Sequence, residues 1–150
     1  MPTVRLGFSP APAHVRTARL VAVAVARRAG VPEELLDEVR LAVGEACSRA
    51  VALHQLYHRK ELVDVEMTDG PRFTVRVHDR GPAESRADAL PDPVELVAHS
   101  EDIVTAEPFP AATVAVGMGL ALLTGLVDDL EVTPSPDGTG TSVRMSWPIA

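Results

Sequence analysis

Apolar and polar residues alternate from the first positions of the chain: Val4, Leu6 and Phe8 share one side of Met1 to Phe8, which predicts a strand. Pro10 and Pro12 then break the chain. From His14 to Ala29 the residues Val15, Ala18, Ala22, Val25 and Ala26 recur at helical spacing, and Gly30 stops the run. Pro32 suits the first turn of a second helix, whose N-terminal dipole is complemented by Glu33, Glu34, Asp37 and Glu38. Its apolar stripe is Leu35, Val39, Ala42, Val43, Ala46, Ala50 and Leu53, and Cys47, flanked by Ala46 and Ser48, reads as a small buried residue of the same helix.

The period then drops to two. Leu62 to Met67 and Phe73 to Val77 alternate on either side of Thr68-Asp69-Gly70-Pro71, the pattern of a β-hairpin, and Asp79 falls where its second strand ends. From Gly81 to Val116 the chain carries Pro82, Pro91, Pro93, Pro108 and Pro110 among acidic residues, with one helical turn expected at Val94 to Ala98. A connection that long inside one domain reads as a functional lid or a mobile segment. Gly117-Met118-Gly119 opens a short apolar helix, Leu120 to Val127. Two strands close the chain, Leu130 to Thr133 and Ser142 to Trp147, joined by a turn at Asp137-Gly138 and Gly140. The order β-α-α-β-β-lid-α-β-β predicts a two-layer α/β sandwich, a mixed and mostly antiparallel sheet covered on one face by helices.

Composition narrows this picture. At 150 residues the chain is one domain, 1–150, with one core. No apolar run reaches the roughly 18 residues of a membrane span, and the N-terminus lacks a signal pattern, so a cytoplasmic protein is expected. Cys47 stands alone, which excludes a disulfide framework and a cysteine metal cluster. The net charge of −7 is uneven: residues 1–86 carry +2 and residues 87–150 carry −9. With three Phe, one Trp and one Tyr, the acidic second half lacks the basic patch and stacking aromatics of a nucleic-acid binder.

Several positions carry chemistry. Glu45 lies mid-helix beside the apolar stripe, where it is either a general base or a solvated helix glutamate. Asp79-Arg80-Gly81 at a strand end is either a plain turn or a site where a carboxylate accepts from an adenine amino group and Gly81 lets the ring approach the backbone. Gly117-x-Gly119 before a helix offers free N–H groups to a phosphate. His54 and His58 have metal-binding spacing but no third ligand, and read as helix-end histidines. Arg27-Arg28 and Arg59-Lys60 close helices, whereas Arg16 and Arg19 do not.

Glu45 on a long helix, Asp79-x-Gly81 after a strand, a long lid, Gly117-x-Gly119-Leu120 before a helix and Gly140-Thr141 opening the last strand follow one another in the order of the ATPases of gyrase, histidine kinases and mismatch repair. Within that superfamily, Leu41-Ala42-Val43-Gly44-Glu45-Ala46-Cys47 and Phe8-Ser9 resemble the anti-sigma factor serine/threonine kinases. The resemblance implies the histidine-kinase-type, Bergerat-like ATPase fold, a homodimer, ATP as cofactor, and two partners: a sigma factor, and an anti-anti-sigma (STAS-type) protein that is phosphorylated on serine. By position it implies Glu45 as catalytic base, Asp79 as adenine reader, Gly81 as pocket glycine, Gly117 and Gly119 as phosphate contacts and Thr141 as a pocket-wall hydroxyl. Arg19, with Arg16 beside it, matches an arginine that grips sigma.

The pattern departs from that family where phosphate and metal are handled. The family's Mg²⁺-binding asparagine is replaced by Arg49, which has five N–H donors and no acceptor, so one oxygen ligand is lost. At i, i+4 from Glu45, Arg49 is expected either to pair with that carboxylate or to meet ATP phosphates in place of the metal. Ala83 stands where a second pocket glycine is expected, and Ala87 to Val116 holds no Lys or Arg, so its field repels ATP. Weak or absent ATP binding, no metal and reduced or absent kinase activity are the expectation. Three functions fit: a regulator that binds a sigma factor, an anti-anti-sigma partner or both; an active serine kinase; or a scaffold that sequesters anti-anti-sigma proteins.

Overall fold

The computed structural model describes residues 2–82, 122–136 and 138–150. Strand β1 (Thr3–Phe8) leads into helix α1 (Pro12–Ala29), a 3₁₀ turn at Glu33–Leu35 and helix α2 (Leu36–Leu56). The hairpin β2 (Val63–Asp69) and β3 (Arg72–Pro82) follows, and after a helical turn at 122–126 the chain ends in β4 (Asp129–Pro134) and β5 (Thr139–Pro148). The strands form one sheet in the order β1-β2-β3-β5-β4, and each of its four pairings is antiparallel. The expected acidic segment, its turn at Val94 to Ala98, and Gly117 and Gly119 lie outside the described residues.

Helices cover one side of the sheet, and alternation along each strand supplies the contacts. Val63, Val65 and Met67 of β2, Phe73, Val75 and Val77 of β3, and Val143, Met145 and Trp147 of β5 are buried. Their neighbours in sequence, such as Glu66, Arg76 and Arg144, form a polar outer face, as expected of an antiparallel sheet wetted on one side. Helix α1 buries Val15, Ala18, Ala22 and Ala26, a stripe of mostly small side chains that lets α2 approach closely. It ends in a left-handed cap at Gly30 (φ 100°), whose N–H donates to the carbonyls of Ala26 and Arg27.

Helix α2 is the centre of the molecule, enclosed by α1 on one side and the sheet on the other, so its buried set extends beyond the predicted stripe to Gly44, Arg49, Val51, Ala52 and His54. Trp147 Nε1 donates to Glu38 Oε2 at 3.2 Å and fastens the start of α2 to the end of β5. Cys47 is fully buried, and that burial pushes its thiol pKa up to about 12, the behaviour of an inert core residue. Pro32 precedes a 3₁₀ turn, and the α-helix proper begins at Leu36.

Strand β3 is longer than its alternation predicts, running past Asp79 to Pro82, with a register shift against β5 between those two residues. Gly140, at φ 119°, sits opposite this irregularity, and a Cβ there would collide with the backbone carbonyl of Asp79. Only glycine combines that dihedral with that approach.

Candidate functional site

The site grows from a parity argument. Residues 73, 75 and 77 of β3 face the helices, so residue 79 faces them too, and Asp79 is 1% exposed. From α2, Ala42, Ala46, Arg49 and Leu53 recur on a helical face toward the sheet, and Arg49 is 4% exposed. Two opposite charges thus occupy inward positions on facing layers, and they meet: Arg49 Nη1 donates to Asp79 Oδ2 at 3.1 Å.

This corrects the expectation from helical spacing. Among the described residues the ion-pair partner of Arg49 is Asp79, thirty residues away, and not Glu45 one turn earlier. Spacing along one helix cannot anticipate a partner on the opposite layer. Glu45 is half-buried and makes no ion pair with a described residue. The second oxygen of Asp79, Oδ1, accepts from the backbone N–H of Gly81 at 3.0 Å. Arg49 Nε is buried without a hydrogen-bond partner among the described residues.

The last turns of α2 grip three consecutive residues of β3. Arg49 holds Asp79, and His54 Nε2 accepts from the Arg80 N–H at 2.8 Å. The end of the Leu53 side chain lies where a Cβ on Gly81 would project. His54 Nδ1 lies 3.1 Å from the carbonyl of Glu61, so this nitrogen carries the proton while Nε2 accepts. Sequence spacing points to His54 as a helix-end residue. It is fully buried because the last turn of α2 still lies against the sheet, and it serves as a polar staple between layers. Thr141, the expected pocket-wall hydroxyl, is buried directly opposite Asp79 in the ladder.

Arg19 approaches from the other helix. A Cβ on Gly44 would lie 2.6 Å from its Cδ, so the aliphatic stem of Arg19 crosses α2 at the residue before Glu45. Arg16 is exposed one turn earlier on α1. Both helices also present a leucine to solvent, Leu20 (61% exposed) and Leu41 (48%).

The donor set around Asp79 departs from one built for ATP with Mg²⁺. An adenine amino group would have to share the carboxylate with a charged guanidinium on Oδ2 and with the Gly81 N–H on Oδ1. Arg49 itself offers Mg²⁺ no oxygen.

An antiparallel sheet layered on helices, with the glutamate on the central helix and the aspartate at the irregular end of a strand, defines an ATPase-type domain. Residues 8–147 match the histidine kinase-like ATPase domain, and the chain belongs to that family. Two solved structures share its fold. The RsbU and RsbW domains of Rv1364c from Mycobacterium tuberculosis align over 99% of this chain at 15% identity and a TM-score of 0.63, this chain spanning 33% of that one. The SiaB-SiaC complex from Pseudomonas aeruginosa aligns over 95% of this chain and 89% of its own at 13% identity and a TM-score of 0.56. No curated protein matches the sequence. No helix among the described residues is long and apolar enough to cross a membrane.

Proposed function

We propose that this chain is an anti-sigma-factor-like regulator of bacterial transcription that binds a sigma factor, an anti-anti-sigma partner or both, and acts by occupancy rather than by phosphorylation. The observation that carries the loss of catalysis is the buried Arg49–Asp79 pair, which engages the adenine-reading carboxylate with the residue that replaces the metal ligand. Support for the partner class comes from the family match and from two structural neighbours, one named for its RsbW domain and the other a SiaB-SiaC complex. The partner-facing surface in this reading is the helical layer, with Arg16 and Arg19 as polar anchors and Leu20 and Leu41 as exposed apolar contacts. Two copies of the chain act together in this reading, in the cytoplasm.

The rival reading, an active serine kinase, draws on one feature: Glu45 remains half-buried on α2 and is not neutralised by Arg49. Calorimetry separates the two. Titrating the protein with ATP, with and without Mg²⁺, is expected to give no binding heat at millimolar nucleotide. Arg49→Asn, which frees Asp79 and restores an oxygen ligand, is expected to bring binding into the measurable range. Tight, Mg²⁺-dependent binding by the unaltered protein, lost in Asp79→Asn, would overturn the proposal and restore the kinase.

A further inference from the structure

The wet face of the sheet matches most of its charges. Arg5 holds Glu66 at 3.4 Å, Arg80 holds Asp64 at 3.6 Å, and Arg144 and Arg72 share Asp129 at 3.1 and 3.9 Å. Arg76, in the middle of the central strand β3, and Glu131, on the edge strand β4, are exposed and have no ion-pair partner among the described residues.

The register explains why these two are left. Arg76 lies opposite Glu66 on β2 and Arg144 on β5, and Arg144 in turn lies opposite Glu131. Glu66 is taken by Arg5, and Arg144 turns diagonally to Asp129. Arg76 and Glu131 therefore face each other two strands apart, with about 10 Å between their backbones. Two guanidinium groups on directly opposed residues repel, so the surroundings of Arg76 favour a counter-charge.

A cavity of about 280 Å³ occupies this place. Arg76, Arg144 and Glu131 line it together with Thr133 and Ser142, which are partners across the β4–β5 ladder, and residues 134–136 complete the wall. His78 Nδ1 fixes the Ser142 hydroxyl at 2.9 Å, and the Thr133 hydroxyl donates to Glu131 Oε1 at 3.3 Å. The volume falls below the roughly 300–1,000 Å³ of pockets for drug-sized ligands, so the occupant is small.

We propose that this cavity binds a small zwitterion of the α-amino acid class, its carboxylate on Arg76 and its ammonium on Glu131. The charges of the lining argue against simpler ligands. A bare oxyanion would gain Arg76 but meet Glu131, and a bare amine would do the reverse. Arg144 favours neither, because Asp129 already neutralises it. A compact dipole satisfies both ends: the guanidinium fork donates to a carboxylate, and the glutamate accepts from an ammonium. The hydroxyls of Ser142 and Thr133 suit a ligand with a short polar side chain. The site lies on the sheet face away from the helices and stands apart from the partner and kinase readings above.

Titration of isotope-labelled protein with glycine, the shared part of the class, followed by backbone amide NMR shifts, tests the assignment. Saturable shifts are expected around residues 76, 131–136 and 142–144, with a Kd in the low millimolar range. Arg76→Gln and Glu131→Gln are exposed changes outside the core, and unaltered amide spectra elsewhere will verify their folding. Each is expected to weaken glycine at least about tenfold, the worth of one charge-assisted hydrogen bond. Acetate and methylamine, each carrying half of the dipole, are expected to bind more weakly than glycine by the same factor of about ten. Acetate binding as tightly as glycine, and more tightly still in Glu131→Gln, would make this a plain anion site and overturn the zwitterion assignment. Glycine affinity unchanged in both variants, or no saturation at tens of millimolar, overturns the site itself.

Discussion

Arg49 and Asp79 form a buried charged contact between facing layers, and its energetics are unlike those of the surface pairs. Arg5–Glu66 and Arg40–Asp37 are well exposed, with arginine side chains 79% and 55% accessible, and pairs of this kind contribute at most about 1 kcal/mol. Removing one member of the Arg49–Asp79 pair leaves a buried uncompensated charge. Urea unfolding is expected to show Arg49→Met and Asp79→Asn each destabilised by about 3 kcal/mol, and Arg49→Met with Asp79→Leu destabilised by far less than the sum of the single changes. Additive losses would mean that the two side chains do not depend on each other. The inward parity of Asp79 was legible from Phe73, Val75 and Val77, and Arg49 falls on the face of Ala42, Ala46 and Leu53. Their union was not legible, because spacing along a helix reports neighbours one turn away and says nothing of the opposite layer. His54 escaped for the same reason: its surroundings are set by where α2 crosses the hairpin, which no local pattern records.

Elements declare themselves in sequence when one periodicity rules them. Helix α1 and the β2–β3 hairpin lie close to where the alternation puts them, because one face of each meets the core and the other meets water. Helix α2 is harder to delimit, since burial on several sides blurs its stripe and Pro32 yields a 3₁₀ turn before the α-helix. The end of β3 is least legible, for its irregularity depends on Gly140 closing against the Asp79 carbonyl from a strand far along the chain. Gly140→Ala combines a left-handed backbone with a collision against backbone, so its expected cost is about 3 kcal/mol. Gly81→Ala meets the movable end of Leu53, and about 1 kcal/mol is expected. Thermal unfolding of the two variants checks the order, and a larger loss for Gly81→Ala would show that the bulge does not depend on residue 140.

Across the whole molecule, acid stability draws on the outer sheet face. Hydrogen bonds from Arg144 first and Ser146 second lower the Asp129 pKa to about 2, beneath the ordinary aspartate value of about 3.9. A carboxylate held lower in the folded state than in the unfolded chain contributes stability above the unfolded value, and that contribution is lost as pH falls toward 2. Asp129 is 41% exposed, so solvent screening keeps the effect small. Denaturation midpoints measured from pH 5 down to pH 2 are expected to fall less steeply in Asp129→Asn, and an unchanged slope would remove this residue from the acid limb. The architecture as a whole was readable because one wet and one covered sheet face impose a simple alternation on every strand. The triple grip of α2 on Asp79, Arg80 and Gly81 has a mechanical consequence. Helix α2 and the end of β3 are packed as one unit, in which Leu41 on the solvent side of the helix and Pro82 at the end of the strand are joined through the core.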